Sequence, residues 1–147
     1  MNNRIVTLAA TALIGSLAAA FTRADAPPAA PPAAAEAAPR ISQAELLARL
    51  DKKDSRLVVL DVRTAAEYAA GHVPGARNVS HDELASRLGE LDALRDKDVV
   101  LYCHSGRRSA LAADVLRKAG FTRLRHLDGD FLAWQAESRP VEKSDAK

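Results

Sequence analysis

The chain has 147 residues and a net charge of +2, from 21 Lys or Arg and 19 Asp or Glu. A chain of this length forms one domain with a modest hydrophobic core. Balanced charge and an aromatic content of 4% provide no basic surface or base-stacking platform, so we expect no nucleic-acid partner. One cysteine excludes an internal disulfide, and four scattered histidines lack metal-ligand spacing, so we expect no metal ion or other cofactor.

The first 26 residues are typical of a secretory signal peptide. A basic start, Met1–Arg4, precedes an apolar run over 5–21 and the sequence Ala24-Asp25-Ala26, which has the form of a signal-peptidase site. Pro27 would follow that cut directly, so cleavage near Ala18–Ala20 is an alternative. In a bacterium the sequence therefore predicts a periplasmic protein, which contacts the membrane only if this segment stays uncleaved as an N-terminal anchor.

Two further segments are expected to lie outside the folded domain. Residues 27–40 are almost wholly Ala and Pro, a composition that extends without burying surface and serves as a semi-rigid linker. Residues 140–147 are predicted to form a flexible C-terminal tail. The folded domain is thus predicted over residues 41–139.

Helices and strands are predicted to alternate between these limits. Ser42-x-x-Glu45 and Thr64-x-x-Glu67 are capping-box patterns, and each marks the start of a helix. In chain order the predicted elements are a helix after Ser42, a buried strand over 57–62, a short helix from Thr64 to about Gly71, a turn over 72–75, a helix from Ser80, a strand ending at Cys103, a helix over 109–119, a strand over 123–127 and a last helix over 130–137.

This alternation predicts an α/β fold, in which a small parallel β-sheet is flanked by helices on both faces. Ligands of such sheets bind beyond the carboxyl ends of the strands. Asp61 and Cys103 both fall at such ends. The sequence therefore predicts a functional site at one edge of the sheet.

Cys103 lies where a strand ends and a helix is about to begin. The thiolate is the nucleophilic form of cysteine, and a helix N-terminus favours it through unpaired N–H groups and the helix dipole. The glycine-containing loop that follows can curl its amides toward one point as an anion-binding nest. We therefore expect a reactive thiolate beside a pocket for a small anion; the alternative is an inert cysteine packed as a small hydrophobe.

The loop Cys103-His104-Ser105-Gly106-Arg107-Arg108-Ser109 resembles the active-site loop of the rhodanese family of sulfurtransferases. Two other segments are similar to that family's motifs: Asp61-Val62-Arg63 through Gly71-His72-Val73-Pro74-Gly75 upstream, and Leu127-Asp128-Gly129 with Trp134 downstream. Together the three motifs cover about residues 41–139, in the family's order. One position differs from the family's pattern. The closing segment of the family often carries two glycines, and this chain has Asp130 in place of the second.

The resemblance implies transfer of a sulfane sulfur from thiosulfate or a similar donor to cyanide or a thiol acceptor. It implies that Cys103 is the catalytic nucleophile and carries the sulfur as a persulfide. The residues expected to bind substrate are His104, Ser105, Gly106, Arg107 and Arg108. Those expected to support the site structurally are Asp61, Arg63 and Glu67, with Arg63 and Glu67 spaced to pair.

Two other functions stay open at this point. A non-catalytic rhodanese module carries sulfur or binds a partner without turnover. A cysteine-dependent phosphatase uses a similar cradle, but its Cys-x5-Arg pattern requires an arginine where this chain has Ser109. Among single residues, His104 either tunes the thiolate or points to solvent. We expect His72 to form hydrogen bonds within its turn and Trp134 to pack in the core.

Overall fold

The computed structural model describes residues 37–144, which form an α/β domain around one parallel sheet. The predicted signal peptide over 1–26 and the predicted linker up to residue 36 lie outside the described residues. Within residues 37–144, no helix has the length and apolar character needed to cross a membrane.

Five strands and four α-helices alternate along the described part of the chain. The strands are β1 (Arg40–Ile41), β2 (Leu57–Asp61), β3 (Arg77–Asn78), β4 (Asp98–Tyr102) and β5 (Leu124–Leu127). The helices are α1 (Gln43–Asp51), α2 (Ala65–Ala70), α3 (Arg107–Lys118) and α4 (Asp130–Ala136), and a 3₁₀ helix spans Leu88–Leu94. All neighbouring strands are parallel, in the order β1-β5-β4-β2-β3. The predicted fold class is therefore confirmed, with β4 as the central strand.

The two longest strands, β2 and β4, have buried side chains on both faces of the sheet. One face packs on Ile41, Leu46 and Trp134 through Val59 and Val100. The opposite face packs on a second cluster, which contains Leu60, Leu84, Leu91, Leu101 and Leu116. A strand covered on both faces shows no alternation of polar and apolar residues, which is why the sequence reads as continuous apolar runs there.

Both predicted capping-box helices begin where the sequence places them. The Ser42 hydroxyl oxygen accepts a hydrogen bond from the Glu45 amide at 3.1 Å and caps α1. At α2 the cap is reciprocal, since the Thr64 hydroxyl accepts from the Glu67 amide at 3.3 Å while the Glu67 carboxylate accepts from the Thr64 amide at 3.1 Å. These caps satisfy amides that have no partner inside the helix.

The prediction of an α-helix from Ser80 is wrong. Residues 81–87 form turns, and the segment then continues as the 3₁₀ helix. The Ser80 hydroxyl donates to the Asp82 carboxylate, a local hydrogen bond of the kind that competes with helical backbone pairing. Leu84, Leu91 and Leu94 are nevertheless buried. The hydrophobic pattern therefore identified the core residues of this segment but not its backbone.

Both ends of the domain extend past the predicted limits of 41–139. Arg40 belongs to β1, and the Pro39 carbonyl continues the ladder by accepting from the His126 amide at 2.9 Å. Beyond residue 139, Glu142 pairs with His72 in an antiparallel bridge, and the Trp134 indole N–H donates to the Pro140 carbonyl at 2.8 Å. Residues 39–40 and 140–142 thus pack on the domain and are not part of a linker or a free tail.

Candidate active site

Cys103 directly follows the central strand β4, and α3 begins four residues later at Arg107. Between them, the chain turns through Gly106, whose φ of 101° lies in the left-handed region that favours glycine. This turn directs the Gly106 N–H at the Cys103 sulfur, and the nitrogen lies 3.0 Å from Sγ. The loop therefore directs one backbone N–H group at the Cys103 sulfur.

The Cys103 residue is buried beneath an exposed loop. It is only 1% exposed, whereas His104, Ser105 and Arg107 are on the surface. Its sulfur contacts hydrogen-bond donors, because the Ser109 hydroxyl lies 3.6 Å from Sγ in addition to the Gly106 amide. A reactant therefore has to pass the exposed loop to reach the sulfur, which lies among hydrogen-bond donors.

Arg108 is held beside this loop by Glu67. The two side chains form a paired ion bridge of 2.7 and 2.8 Å between helices α3 and α2. Hydrogen bonds from Arg108 lower the pKa of Glu67 to about 2, against the opposing effect of partial burial. The pKa of Arg108 is raised, chiefly by Glu67 and further by the Cys103 sulfur. Arg107 is exposed, and no carboxylate within residues 37–144 lies at ion-pair distance from it.

The predicted pairing of Arg63 with Glu67 is wrong, because Arg63 points into the domain and binds Asp61. Its guanidinium lies 2.5 Å from the Asp61 carboxylate and donates to the Gly71 carbonyl at 2.7 Å. Burial is the largest single influence and disfavours the charge on Arg63, but the hydrogen bonds and charge of Asp61, with a smaller contribution from Tyr102, together outweigh it and raise the pKa of Arg63. The same carboxylate accepts from the Tyr102 hydroxyl at 2.7 Å. Asp61 and Arg63 therefore join β2, β4 and the turn after α2.

Three side chains that sequence analysis did not place in the site form its floor: Ser109, His126 and Asp130. Asp130 Oδ1 accepts from the Cys103 amide at 2.7 Å and from the Ser109 hydroxyl at 3.2 Å. Asp130 Oδ2 lies 2.8 Å from His126 Nε2. Although burial opposes ionisation, these donors together lower the pKa of Asp130. Two signals were present in the sequence, the absence of glycine at position 130 and the inclusion of Ser109 in the Cys103 loop motif, and nothing pointed to His126.

Two cavities lie on different edges of the domain. One of about 290 Å³ adjoins the Cys103 loop and is lined by Arg63, Glu67, Ala70, Gly71, His104, Phe131 and Gln135. His104 therefore stands at the wall of this cavity. A larger cavity of about 490 Å³, between residues 37–39 and the C-terminal end of α3, is lined by no cysteine, serine, histidine or carboxylate side chain. In the part of the chain that the structure describes, no group of three His, Cys, Asp or Glu residues could hold a metal ion.

Two other residues considered in the sequence analysis, His72 and Trp134, stabilise the fold. His72 Nδ1 lies 2.9 Å from the Tyr68 carbonyl, and the two rings stack with centroids 3.7 Å apart. Trp134 is fully buried in the core on one face of the sheet. Both placements agree with the predictions of a hydrogen-bonding turn residue and a core residue.

Fold and site together define an α/β protein with a cysteine-containing loop at the carboxyl edge of its sheet. Cys103, the candidate nucleophile, directly follows the central parallel strand. The Gly106 amide points at its sulfur, and Arg108 is held beside it. Cys103 thus lies just beyond the carboxyl end of a parallel strand, which is where α/β sheets bind ligands.

Comparison with known proteins identifies the family. The Rhodanese-like domain family matches residues 42–137, and the chain belongs to it. Thiosulfate sulfurtransferase GlpE of Pseudoalteromonas translucida is 36% identical over 104 residues, covering 70% of this chain and 95% of GlpE. The HTH-type transcriptional regulator Rv0324 of Mycobacterium tuberculosis is 41% identical over 105 residues, but the match spans only 44% of that regulator.

Solved structures agree with this family assignment. The crystal structure of a rhodanese-related protein from Thermoplasma volcanium has a TM-score of 0.62 and 28% identity to this chain. That match covers 72% of this chain and 99% of the other. The protein is therefore a rhodanese domain with relatives among the sulfurtransferases.

Proposed function

We propose that this protein is a sulfurtransferase that moves a sulfane sulfur from thiosulfate, or a similar donor, to cyanide or a thiol through a persulfide on Cys103. The supporting observation is the Gly106 amide held 3.0 Å from the Cys103 sulfur. Thiolate and persulfide are both anions, and a donor already aimed at the sulfur stabilises them with little reorganisation. The similarity to a thiosulfate sulfurtransferase supports the choice of donor.

The reaction divides into two displacements at sulfur. In the first, the Cys103 thiolate attacks the outer sulfur of thiosulfate; a new S–S bond forms, the S–S bond of thiosulfate breaks, and its electron pair leaves with sulfite. In the second, cyanide attacks the outer sulfur of the persulfide, the Cys103 thiolate departs, and thiocyanate forms. No net oxidant or reductant is needed, and the enzyme returns to its starting state.

The loop supplies the charges that this donor requires. Thiosulfate is a dianion, and Arg107 is exposed at the first turn of α3 without a carboxylate partner within residues 37–144. Arg108 is close enough for the sulfur to raise its pKa. The amides of Ser105, Gly106 and Arg107 then provide hydrogen-bond donors for the outer sulfur, and His104 lies at the entrance.

Replacing the nucleophile tests the proposal directly. We expect Cys103→Ser to abolish thiocyanate formation from thiosulfate and cyanide, because a serine hydroxyl is not ionised near neutral pH and forms no persulfide. Steady-state thiocyanate assays of both proteins check this, with circular dichroism to establish that the variant is folded. Equal rates in the two proteins would contradict the proposal. Release of phosphate from an aryl phosphate by the wild type would indicate a phosphatase instead.

The two loop arginines are expected to act on donor binding. Arg107→Ala and Arg108→Ala should each raise the KM for thiosulfate by about tenfold, as expected for the loss of one charge-assisted contact. Arg123→Ala is the matched control, because Arg123 precedes β5 at the opposite edge of the sheet. If neither loop variant changes the dependence of rate on thiosulfate, the arginines do not bind the donor.

One observation favours a second function, the non-catalytic module. Cys103 is 1% exposed, and burial of this degree restricts access to the sulfur. A module that only binds a partner needs no such access, whereas one that carries sulfur needs it for loading but not for repeated turnover. Multiple turnovers with thiosulfate would exclude it, and a folded wild type with no more activity than Cys103→Ser would establish it. Mass spectrometry shows whether thiosulfate loads one sulfur atom onto the protein.

We further propose that residues 1–26 direct export and are removed from the mature protein. The basic start, the apolar run and Ala24-Asp25-Ala26 support this role. Expression of the full chain in a bacterium, followed by cell fractionation and an intact-mass measurement, tests it. We expect the processed chain in the periplasmic fraction, and a full-length chain in the cytosol would contradict export.

A further inference from the structure

We propose that Asp130 and His126 are positioning residues that make the Ser109 hydroxyl available to the Cys103 sulfur in its anionic forms. This role rests on Cys103 being the nucleophile proposed above. In this role the sulfur has a second hydrogen-bond donor, the Ser109 hydroxyl, besides the backbone amide of Gly106. Asp130 and His126 control where that hydroxyl donates.

Asp130 is an unusual residue for its backbone position. Its φ of 53° lies in the left-handed region, which non-glycine residues seldom adopt, and its side chain is almost fully buried. Such a conformation persists only where the surroundings hold it. Here the carboxylate is held by the Cys103 amide at 2.7 Å, the Ser109 hydroxyl at 3.2 Å and His126 Nε2 at 2.8 Å.

The floor also fixes the turn that carries the amide donor. A Cβ placed on Gly106 would lie 3.1 Å from Asp130 Oδ2 and 3.5 Å from His126 Cε1. The backbone of Gly106 therefore rests directly on the pair formed by Asp130 and His126. Because Asp130 also binds the Cys103 amide, this pair contacts the loop at its start and at its turn.

The hydrogen positions in this network follow from its acceptors. Asp130 is ionised, because its neighbours lower its pKa, and a carboxylate offers no hydrogen. His126 Nε2, at 2.8 Å from that carboxylate, must therefore carry a hydrogen and donate it. Although Nε2 also lies 3.0 Å from Ser109 Oγ, it cannot accept the Ser109 hydrogen while protonated. Asp130 thus prevents His126 from competing for the serine hydroxyl.

The single hydroxyl hydrogen of Ser109 then has three possible acceptors: the Gly106 carbonyl at 2.9 Å, Asp130 Oδ1 at 3.2 Å and Cys103 Sγ at 3.6 Å. The negative charge of Asp130 is already shared among hydrogen bonds from the Cys103 amide and His126 Nε2, and the Gly106 carbonyl is neutral. When the sulfur becomes anionic it turns into the stronger acceptor, because hydrogen bonds to ionised groups are stronger than neutral ones. Ser109 then donates to the thiolate and to the persulfide in addition to the Gly106 amide.

Asp130→Asn tests this arrangement without disturbing the fold, since asparagine tolerates left-handed backbone better than most residues. The side-chain oxygen of this variant can still accept from the Cys103 amide, but no carboxylate then holds a hydrogen on His126 Nε2. Without that hydrogen Nε2 becomes an acceptor, and it competes with the sulfur for the Ser109 hydroxyl. We expect alkylation of Cys103 by iodoacetamide near pH 7 to slow about tenfold, the effect of losing one hydrogen bond to a charged group. The pH of half-maximal alkylation should rise by about one unit.

Matched variants separate positioning from a structural role. His126→Gln keeps an N–H donor for Asp130 and should retain the wild-type pH profile. His126→Leu removes that donor, so the Ser109 hydroxyl should turn to Asp130 and the profile should shift as in Asp130→Asn. Asp128→Asn, which replaces an exposed carboxylate paired with Arg40 two residues before Asp130, is the control and should change nothing.

A double-mutant cycle completes the test. Because Asp130 acts through Ser109, Asp130→Asn combined with Ser109→Ala should react no more slowly than Ser109→Ala alone. Additive effects, an unchanged or lowered alkylation pH in Asp130→Asn, or equal shifts in His126→Gln and His126→Leu would overturn the role. Alkylation needs no sulfur donor, so shifts without any thiocyanate formation would refute the proposed function alone, whereas turnover with unshifted profiles would refute this positioning role alone.

Discussion

At the level of single residues, Glu67 connects the exposed helix α2 to the first turn of α3, beside the Cys103 loop. It caps its own helix through Thr64 and at the same time holds Arg108 at 2.7 and 2.8 Å. The sequence indicated a structural role for Glu67 but assigned it to the wrong arginine. The two partners lie 41 positions apart, and spacing along the chain reveals only pairs that share a helix or a turn.

The depressed pKa of Glu67 predicts a pH-dependent contribution to stability. Its value falls from 4.5 to about 2 on folding, so the stabilisation is complete above the unfolded value and is lost as the pH falls toward 2. We expect Glu67→Gln to lower the free energy of unfolding by a constant amount above about pH 5.5 and by less at each lower pH. Urea unfolding of both proteins between pH 7 and pH 3 measures the difference.

Glu45→Gln is the control for this pH series, because Glu45 also pairs with an arginine across elements but is exposed. Exposed pairs contribute little to stability, so its difference from wild type should stay small throughout. A Glu67→Gln difference that does not shrink in acid would show that the pair with Arg108 contributes nothing through its charge.

At the level of elements, the sequence was most informative where many residues repeat one pattern. The 12 residues of α3 and the buried strands β2 and β4 were predicted close to their observed limits. By contrast β1 and β3 have two residues each, too few to show any periodicity. The floor of the site was missed for a related reason, since Ser109, His126 and Asp130 meet only after β5 has paired with β4.

The two-sided core makes a clear prediction about its central strand. Leu101 of β4 is fully buried, and Leu101→Ala should destabilise the domain by about 2–5 kcal/mol through lost burial and a residual cavity. Leu111→Ala on α3 is the matched control, because Leu111 is 53% exposed and its loss should change stability by less than about 0.5 kcal/mol. Chemical unfolding of the two variants compares them, and equal losses would mean that β4 is not central to the core.

At the level of the whole molecule, the segment after α4 closes the domain against the turn that follows α2. His72 and Glu142 exchange backbone hydrogen bonds of 2.8 and 2.9 Å, and the Glu142 carboxylate accepts from the Gly75 amide at 3.0 Å. Val141 covers Gly71, where a Cβ would lie 2.8 Å from its side chain. Gly71 in turn accepts from the buried Arg63, so this contact reaches the wall of the cavity beside the Cys103 loop.

A chain ending at Arg139 should therefore lose protection in the 72–75 turn. We expect hydrogen exchange at the His72 and Gly75 amides to accelerate about tenfold or more, because each loses its acceptor. A chain that ends at Ser144 retains these acceptors and should exchange like the wild type. Unchanged exchange in the shorter chain would show that the bridge is not maintained in solution.

The parallel arrangement of the strands also determines what surrounds Cys103. Because all five strands run in one direction, the carboxyl ends of β2, β4 and β5 lie at the same edge of the sheet. The residues that follow these ends, Val62, Cys103 and Asp128, therefore come together from three segments that are far apart in the chain. A substitution in any of the three segments can alter the surroundings of the sulfur.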